Sequence, residues 1–320
     1  MPRRRKRYRY RLRRLTPVGI AVLVAGLAGA WAGSRQPVAS LAAGARGPIV
    51  VAAPAVRHTV VEPEVLLTER APLHHVFTPK LSAAAAVLVD ADDGSVLWTL
   101  HAHARRDVAS TTKIMTALVA MRKLGPHDVV TVSAAAPRVP LVREGLRAGE
   151  RVQAWKLFYS LLLYSGNDDA LALAIAAGGS KAAFVQEMND EAQHLGLRDT
   201  HFVSPSGVID VDNYSSAWDL AALARVALRN PRFAYIVRTP VKHVSWSAPT
   251  YSKVYVNNNR LLRMYPGANG VKTGYTHLSG PCLVASATRR GRTLIVVVLD
   301  SSDMYGDATR LLNLGFRSVG

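Results

Sequence analysis

Residues 107–118 read DVASTTKIMTAL, and the fold of this 320-residue chain is organised around them. Ser110 suits a helix start, and Ile114, Leu118 and Met121 recur at helical spacing, so the stretch predicts a loop that runs into a helix. Ser110 and Lys113 would share one face of its first turn. A lysine can act as a base towards serine when burial or a nearby positive charge lowers its pKa. A surface serine and a solvated lysine would show the same spacing, so the downstream sequence has to decide.

Composition indicates a folded protein, with 49% hydrophobic and 19% charged residues. The formal net charge is +18, but nine of the 40 basic residues lie within the first fourteen positions. Without those nine, 31 basic residues face 22 acidic ones, and basic and aromatic residues do not interleave as they do in a nucleic-acid groove. We therefore expect no nucleic-acid partner. The single cysteine, Cys282, lies in an apolar run and excludes an internal disulfide.

Residues 1–32 are predicted to form a signal peptide or an N-terminal membrane anchor. The basic cluster precedes an uncharged run, 15–32, whose most apolar part is short for a membrane span and typical of a signal-peptide core. Ala30-Trp31-Ala32 provides a small-x-small cleavage pattern. We expect export to the outer face of the cytoplasmic membrane, the periplasm or the cell wall. An uncleaved leader would attach the protein to the membrane.

Residues 33–80 are predicted to form a stem, since they are rich in Pro and Ala and show no sustained helical period. The folded domain is predicted to span 81–320. Its first strands are expected at 84–89 and 95–98, joined by a turn at 90–94. Further hairpins are expected at 241–256, around Pro249, and at 281–299, where the apolar run 294–299 is typical of a central strand covered on both faces.

Helical periodicity occupies the middle of the chain and its end. Apolar spacing predicts helices within 155–162, 168–177, 184–195, 220–227 and 308–315. Strands at both ends with helices between them predict an α+β domain, mainly antiparallel, with an all-helical insertion and a cleft between sheet and insertion.

Two further motifs stand where this layout predicts the cleft. Ser165-Gly166-Asn167 lies between two predicted helices of the insertion, and Lys272-Thr273-Gly274 opens a predicted strand after the glycine-rich stretch 266–270. Each motif is weak alone. The set S-x-x-K, S-x-N and K-T-G, in this order and on these elements, is typical of serine acyl-transfer enzymes that react with penicillin.

With these motifs, the chain resembles the low-molecular-weight penicillin-binding proteins, which are serine D-Ala-D-Ala carboxypeptidases. The resemblance runs from about Ala83 to Phe316 and includes the stretches 86–91, 184–196, 200–207, 259–262 and 270–276. It implies a β-lactamase/transpeptidase-like fold and hydrolysis of the terminal D-Ala-D-Ala bond of peptidoglycan stem peptides. It also implies that β-lactam antibiotics would act as covalent inhibitors.

The resemblance implies a role for each motif residue. Ser110 would attack the penultimate D-alanine carbonyl, Lys113 would take its proton, and Ser165 would relay a proton to the leaving amine. The backbone N–H groups of Ser110 and Tyr275 would form the oxyanion hole. No cofactor or metal is implied, and His101 lies in no ligand pattern.

Substrate binding is assigned by the same resemblance to five residues: Asn167, Lys272, Thr273, Gly274 and Tyr275. Lys272 and Thr273 would bind the terminal carboxylate, and Asn167 would hold Lys113 and the substrate backbone. Lys272 would also supply the positive potential that lowers the pKa of Lys113.

Three alternatives remain open from the residues alone. An endopeptidase that cuts peptide cross-links would use the same residues. A class A β-lactamase would need a Glu four residues before an Asn between the second and third motifs, and neither Glu187 nor Glu191 has that spacing. A non-catalytic wall-binding module would have a decayed site, whereas the motif residues here are intact.

Overall fold

A computed structural model describes residues 66–69, 79–208, 212–248 and 251–318, all within one unit of the chain, Val60–Gly320. The predicted leader at 1–32 and most of the predicted stem at 33–80 lie outside the described residues, as does Pro249. Within the described ranges, no helix has the length and apolar character needed to cross a membrane.

The described residues include twelve β-strands and eight α-helices. The strands are β1 (Thr68–Glu69), β2 (Ala85–Asp90), β3 (Ser95–Leu100), β4 (Arg106–Asp107), β5 (Val129–Thr131), β6 (Arg151–Gln153), β7 (Tyr214–Ser215), β8 (Val241–Val244), β9 (Lys253–Val256), β10 (Ala268–Thr276), β11 (Gly280–Arg289) and β12 (Arg292–Leu299). The α-helices are α1 (Lys113–Lys123), α2 (Ala154–Tyr159), α3 (Asn167–Gly178), α4 (Lys181–His194), α5 (Ala217–Leu228), α6 (Pro231–Val237), α7 (Leu261–Met264) and α8 (Met304–Ser318).

The main sheet joins strands from both ends of the domain. Its order is β1-β3-β2-β12-β11-β10, and every neighbouring pair is antiparallel except β1 with β3. The pairing of β2 with β12 places Val87 opposite Val297, so the strands predicted at 84–98 and the hairpin predicted at 281–299 share one sheet. The prediction of an α+β fold with a mainly antiparallel sheet is confirmed. The K-T-G strand, β10, forms the outer strand beside β11.

The apolar run in β12 is buried on both faces of the sheet. Leu294, Val296 and Val298 pack in one cluster with α8, while Ile295 and Val297 pack in a second cluster with α5 and the insertion helices. Because strand side chains alternate between faces, a continuous apolar run supplies both layers. The predicted central strand is confirmed.

The elements between β3 and β10 include the helices of the insertion. Helices α1, α2, α3 and α4 pack on one another, and Phe158, Phe184 and Leu173 are fully or almost fully buried among them. Short strand pairs, β5 with β6 and β4 with β7, also lie in this part of the chain. Helix α5 contacts both the sheet and α1 and so connects the two layers.

The fold extends further towards the N-terminus than the predicted start at Leu81. Leu66 and Leu67 are buried, and Thr68 pairs in register with Ser95 at the edge of the sheet. Arg225 of α5 donates hydrogen bonds to the carbonyl oxygens of Leu66 (2.9 Å), Ala91 (2.7 Å) and Asp92 (3.3 Å). These bonds hold the segment that contains Leu66 beside the turn between β2 and β3. Part of the predicted stem is therefore a strand of the domain.

We predict that Arg225→Ala lowers the free energy of unfolding by about 1–3 kcal/mol, since it leaves the buried Leu66 carbonyl oxygen and two partly buried carbonyl oxygens without this donor. Arg198→Ala, which removes an exposed arginine of the same domain, is the matched control and should change stability little. Chemical denaturation of both variants measures the difference, and equal stability of the two would contradict the role given to Arg225.

Candidate active site

Ser110 lies in a short 3-10 helix that leads into α1. The 3-10 helix spans Ala109–Thr112, and α1 follows directly from Lys113. The Thr111 side chain and backbone N–H both bond to the Val108 carbonyl oxygen, at 2.7 and 3.2 Å, which fixes the turn. The helix predicted from Ser110 therefore exists, with a tighter first turn than expected. Ser110 and Lys113 share one face, and Lys113 Nζ lies 2.9 Å from Ser110 Oγ.

Lys113 is completely buried and has two further oxygen partners. Its Nζ donates to Asn167 Oδ1 at 2.9 Å and to the Ser206 carbonyl oxygen at 3.1 Å. A neutral amine has two hydrogens and one lone pair. With both hydrogens directed at these carbonyl acceptors, the lone pair is left for the hydroxyl proton of Ser110.

Burial is the main reason that Lys113 tends towards the neutral form. It lowers the pKa of Lys113 well below the ordinary value, and the positive charge of Lys272 lowers it further, while Asp169 and Asp168 oppose the shift. The sequence had indicated Lys272 as the cause. In the structure its charge adds to a larger effect of desolvation.

Lys272 occupies the middle of β10, with a side chain that is 1% exposed. Its Nζ donates to Ser165 Oγ at 3.1 Å and to the Thr273 carbonyl oxygen at 2.9 Å. Burial lowers the pKa of Lys272 to about 7. When protonated, Lys272 therefore retains one hydrogen for a further acceptor in the cleft.

Ser165 and Asn167 lie on the tight helix connection that the sequence predicts. One turn of π-helix, Ser160–Tyr164, ends at Ser165, which adopts the left-handed region at φ 78°. The N–H of Ser165 donates to the Ser160 carbonyl oxygen at 2.8 Å. Asn167 begins α3, and its Nδ2 donates to the Pro140 carbonyl oxygen at 3.0 Å, so its Oδ1 is oriented towards Lys113.

Gly274 lets β10 approach the 3-10 helix closely. A Cβ at this position would lie 2.9 Å from the Val108 carbonyl oxygen, which is closer than real Cβ atoms approach, and 3.2 Å from the Ser110 backbone nitrogen, which is tighter than most such contacts. Tyr275 follows and is 60% exposed at the mouth of the cleft.

The predicted site residues meet at one cleft of about 660 Å³. Ser110, Ser165, Thr273, Gly274 and Tyr275 line it, and the buried Lys113 and Lys272 bond to its two serines. A second hollow, of about 470 Å³, adjoins Ser110 on the side of Asn167, Tyr275 and Leu278. The structure brings together all eight residues singled out from the sequence.

Sequence reasoning gave no role to the loop 204–208, which closes the site behind Ser110. The Ser206 carbonyl oxygen binds Lys113, and Thr116 Oγ1 donates to the Pro205 carbonyl oxygen at 2.6 Å. Gly207, at φ +69°, has no room for a side chain beside Thr112. The stretch 200–207 resembles the family in sequence, but backbone carbonyls leave no signal of their role in the sequence.

Two buried carboxyl groups next to the S-x-N turn, those of Asp168 and Asp169, were also missed. His103, in contrast, takes structural contacts: its ring stacks on Trp218 with the ring centroids 4.6 Å apart, and its Nδ1 lies 3.3 Å from Asp199 Oδ2. Across the described ranges, no group of three His, Cys, Asp or Glu side chains is arranged to hold a metal ion. Cys282 is a free, fully buried thiol in β11.

Comparison with known proteins is consistent with this geometry. A family model described as D-alanyl-D-alanine carboxypeptidase matches residues 73–303. A D-alanyl-D-alanine carboxypeptidase of Streptomyces sp. (strain K15) is 38% identical over 272 residues, which cover 77% of this chain and 91% of that protein. A second, from Bacillus subtilis, is 35% identical over 73% of this chain, and the chain spans 62% of that relative's length.

Two more comparisons concern structure and specificity. The crystal structure of the Streptomyces K15 DD-transpeptidase matches with a TM-score of 0.72 and 34% identity, covering 76% of this chain and all of that one. A D-alanyl-D-alanine endopeptidase of Pseudomonas aeruginosa is 32% identical over 72% of this chain and 76% of its own length.

We predict that Gly274→Ala slows acylation of Ser110 by at least about tenfold, because the added methyl group forces β10 away from the 3-10 helix and disturbs groups that act on developing charge. Gly125→Ala is the matched control, since its methyl group would meet only ordinary contacts at 3.4 Å or more. Stopped-flow measurement of Ser110 acylation compares the two variants. A rate for Gly274→Ala equal to that of the control would show that the close approach is unimportant.

Proposed function

This chain belongs to the D-alanyl-D-alanine carboxypeptidase family of serine hydrolases, and we propose that it removes the terminal D-alanine of peptidoglycan stem peptides through an acyl-enzyme at Ser110. The observation that carries the proposal is the 2.9 Å contact between Ser110 Oγ and Lys113 Nζ. This amine is buried, and it also donates hydrogen bonds to Asn167 Oδ1 and to the Ser206 carbonyl oxygen. The contact supplies an activated serine without a histidine.

Acylation begins with transfer of the Ser110 proton to neutral Lys113. Ser110 Oγ then bonds to the penultimate D-alanine carbonyl carbon, and the N–H groups of Ser110 and Tyr275 stabilise the oxyanion. The peptide C–N bond breaks as Ser165, which lies 3.1 Å from Lys272 Nζ, relays a proton to the leaving amine. D-alanine departs, and water hydrolyses the ester to regenerate Ser110.

The stem peptide is recognised by the outer edge of the sheet and by two donors that bind its terminal carboxylate. Among the described strands, β10 pairs only with β11, so an extended peptide can align beside its other edge in the cleft. Protonated Lys272 and the Thr273 hydroxyl bind the free terminal carboxylate. Asn167, held by Pro140, orients both Lys113 and the peptide backbone, and Gly274 keeps the strand close to the nucleophile.

A cross-link endopeptidase is the second candidate. The cleft extends beyond Ser165 to the exposed side chains of Arg260 and Arg263 and to the partly buried Tyr305, which leaves space for a leaving group larger than D-alanine. The endopeptidase relative supports the same candidate. The two activities would share the acyl-enzyme and differ in what leaves.

The positions of Glu187 and Glu191, the two candidates for the glutamate that a class A β-lactamase needs, disfavour a β-lactamase. Glu191 binds Arg122 with both carboxylate oxygens, and Glu187 binds Lys123 at 2.6 Å. Both therefore hold α4 to the C-terminal end of α1, whereas Ser110 lies before its N-terminal end. We propose that β-lactams acylate Ser110 and are released slowly. The intact motif residues also favour an enzyme over a wall-binding module.

We propose that the protein acts outside the cytoplasmic membrane. The leader-like sequence at 1–32 supports export, and it would attach the protein to the membrane if it is retained. The proposed substrate, a component of the wall, is consistent with the same location.

We predict that a fluorescent penicillin labels the protein covalently at Ser110 and that a pentapeptide ending in D-Ala-D-Ala loses one D-alanine. Ser110→Ala should abolish both reactions, whereas Ser247→Ala, at an exposed serine outside the cleft, should retain them. Gel fluorescence and a D-alanine assay give the readouts. Persistence of both reactions in Ser110→Ala would refute the mechanism, and a cross-linked dimer consumed faster than the pentapeptide would favour the endopeptidase.

We predict that KM for a peptide with a free terminal carboxylate rises as pH increases through about 7, because Lys272 loses its positive charge there. KM for the C-terminally amidated peptide should not show this rise. Lys272→Ala should therefore weaken recognition of the free carboxylate more than that of the amide. Steady-state kinetics on the two peptides compares these effects, and equal losses on both would contradict the assignment of Lys272.

A further inference from the structure

Three carboxyl groups lie buried directly behind the Ser165–Asn167 turn. Asp168 and Asp169 are 0% exposed and Glu144 is 1% exposed. Asp169 packs against the turn so closely that a Cβ on Gly166 would lie 1.9 Å from Asp169 Oδ2. The mechanism above does not use any of the three, so their presence beside the catalytic turn requires an explanation.

The buried carboxylate of Asp168 is stabilised by hydrogen bonds from backbone N–H groups. The carboxylate accepts the N–H groups of Glu144 (2.7 Å), Gly145 (2.8 Å) and Leu146 (3.1 Å). It therefore anchors the loop before β6 to the start of α3. Asp169 has no backbone donor of this kind among the described residues, and its Oδ1 is buried without a hydrogen-bond partner.

Asp169 and Glu144 are connected by a single hydroxyl group. Ser160 Oγ lies 2.5 Å from Asp169 Oδ2 and 3.0 Å from Glu144 Oε2. A hydroxyl has one hydrogen, so it can donate to only one of two carboxylates. The second contact is a hydrogen bond only if one of the carboxyl groups carries a proton and donates it to Ser160.

The surroundings place that proton on Asp169. Glu144 Oε1 lies 2.9 Å from Lys253 Nζ of β9, an ion pair that favours the charged form of Glu144. Burial, followed by the negative charges of Asp168 and Glu144, raises the pKa of Asp169 well above its ordinary value, whereas Ser160 and Lys253 lower it. The unpartnered Oδ1 is also less costly on a neutral acid than on a carboxylate.

Other titratable groups that face the cluster agree with this placement. Lys113 of α1 interacts with both aspartates, and Lys113 itself tends to the neutral form, so it does not compensate a second buried negative charge. The Tyr255 hydroxyl of β9 is buried beside Glu144, and burial together with the neighbouring carboxylates raises the pKa of Tyr255 above its ordinary value. A hydrogen-bond network therefore runs from the Asp169 carboxylic acid through the Ser160 hydroxyl to the Glu144 carboxylate, which pairs with Lys253.

This hydrogen-bond network reaches the catalytic turn. The Ser160 carbonyl oxygen accepts the N–H of Ser165, and Asp169 lies two residues after Asn167 at the start of α3. We propose that Asp169 is a positioning residue that acts as a neutral carboxylic acid, locking Ser160 to Glu144 and so holding Ser165 and Asn167 against Lys272 and Lys113. The proposal rests on the proposed function for its catalytic consequence. The protonation itself can be tested without that function.

The first arm of the test compares Asp169→Asn and Asp169→Ala in penicillin acylation and D-alanine release. The amide of Asn replaces the acid as the donor to Ser160, so Asp169→Asn should keep kcat within about threefold of the unmodified protein, whereas Asp169→Ala should lose about tenfold or more in kcat with KM changed less than about threefold. Asp190→Ala, at an exposed aspartate of α4, is the control for the loss of an acidic side chain.

The second arm measures thermal stability against pH. The folded protein keeps the Asp169 proton while the unfolded chain releases it above about pH 4, so the unmodified protein loses stability as pH rises from there towards the folded-state pKa. Asp169→Asn has no such proton to lose. Its Tm relative to the unmodified protein should therefore increase, by about 3 °C or more between about pH 5 and pH 8.

The two arms separate the possible failures. If Asp169→Asn loses as much kcat as Asp169→Ala, or if the Tm difference is constant or falls with pH, the neutral-acid role of Asp169 is wrong. If the unmodified protein releases no D-alanine and is not labelled, the proposed function fails, and the stability arm still decides the protonation. If Asp169→Ala does not fold, the comparison of Asp169→Asn with the unmodified protein decides both points.

Discussion

Burial of two lysine side chains at one cleft is the constraint on which the rest of the site depends. Lys113 and Lys272 are both almost completely shielded from water, and each bonds to one of the two catalytic serines. Burying an ammonium group is costly unless it is neutralised or well paired. The site combines both solutions. Lys113 tends to the neutral form and becomes a base, whereas Lys272, with a pKa of about 7, can keep the charge that an anionic substrate needs.

The scaffold explains how two such groups are held together. Lys113 belongs to α1 of the helical layer, and Lys272 belongs to the outer strand of the sheet, so the cleft exists only where the two layers meet. Gly274 allows the strand to touch the 3-10 helix, and Gly166 allows Asp169 to pack under the S-x-N turn. The contact at Gly274 sets the spacing between the two walls, and the contact at Gly166 fixes the S-x-N turn within its own wall. The electrostatics of the site therefore depends on backbone contacts as well as on charged groups.

Acidic groups behind the turn complete the charge balance. Glu144 pairs with Lys253, and Asp168 is satisfied by three backbone N–H groups. A fully ionised Asp169 would add a negative charge beside these two and favour protonation of Lys113, which the serine mechanism does not allow at the moment of attack. The neutral acid that we propose at Asp169 supports the rigid turn and leaves Lys113 able to accept a proton.

Sequence patterns predicted the parts of the fold and site that depend on local spacing. Ser110 and Lys113 are one turn apart, and the run 294–299 alternates between two buried faces, so both follow from periodicity. Contacts between distant residues were not predictable in this way. Leu66 meets Arg225 across 159 residues, and Ser160 lies between Glu144 and Asp169 because of a π-helical turn that no spacing rule indicates. Ser206 acts through its carbonyl oxygen, which every residue type carries.

We infer that Lys113 is a neutral amine because it is buried opposite Lys272. Carbon-13 NMR of the lysine Cε atoms, with the Lys113 signal identified by its loss in Lys113→Arg, follows its titration directly. We expect a pKa for Lys113 well below 10.5 and a rise in that pKa when Lys272→Met removes the neighbouring charge. Titration of Lys113 near 10.5, or no rise in Lys272→Met, would contradict it.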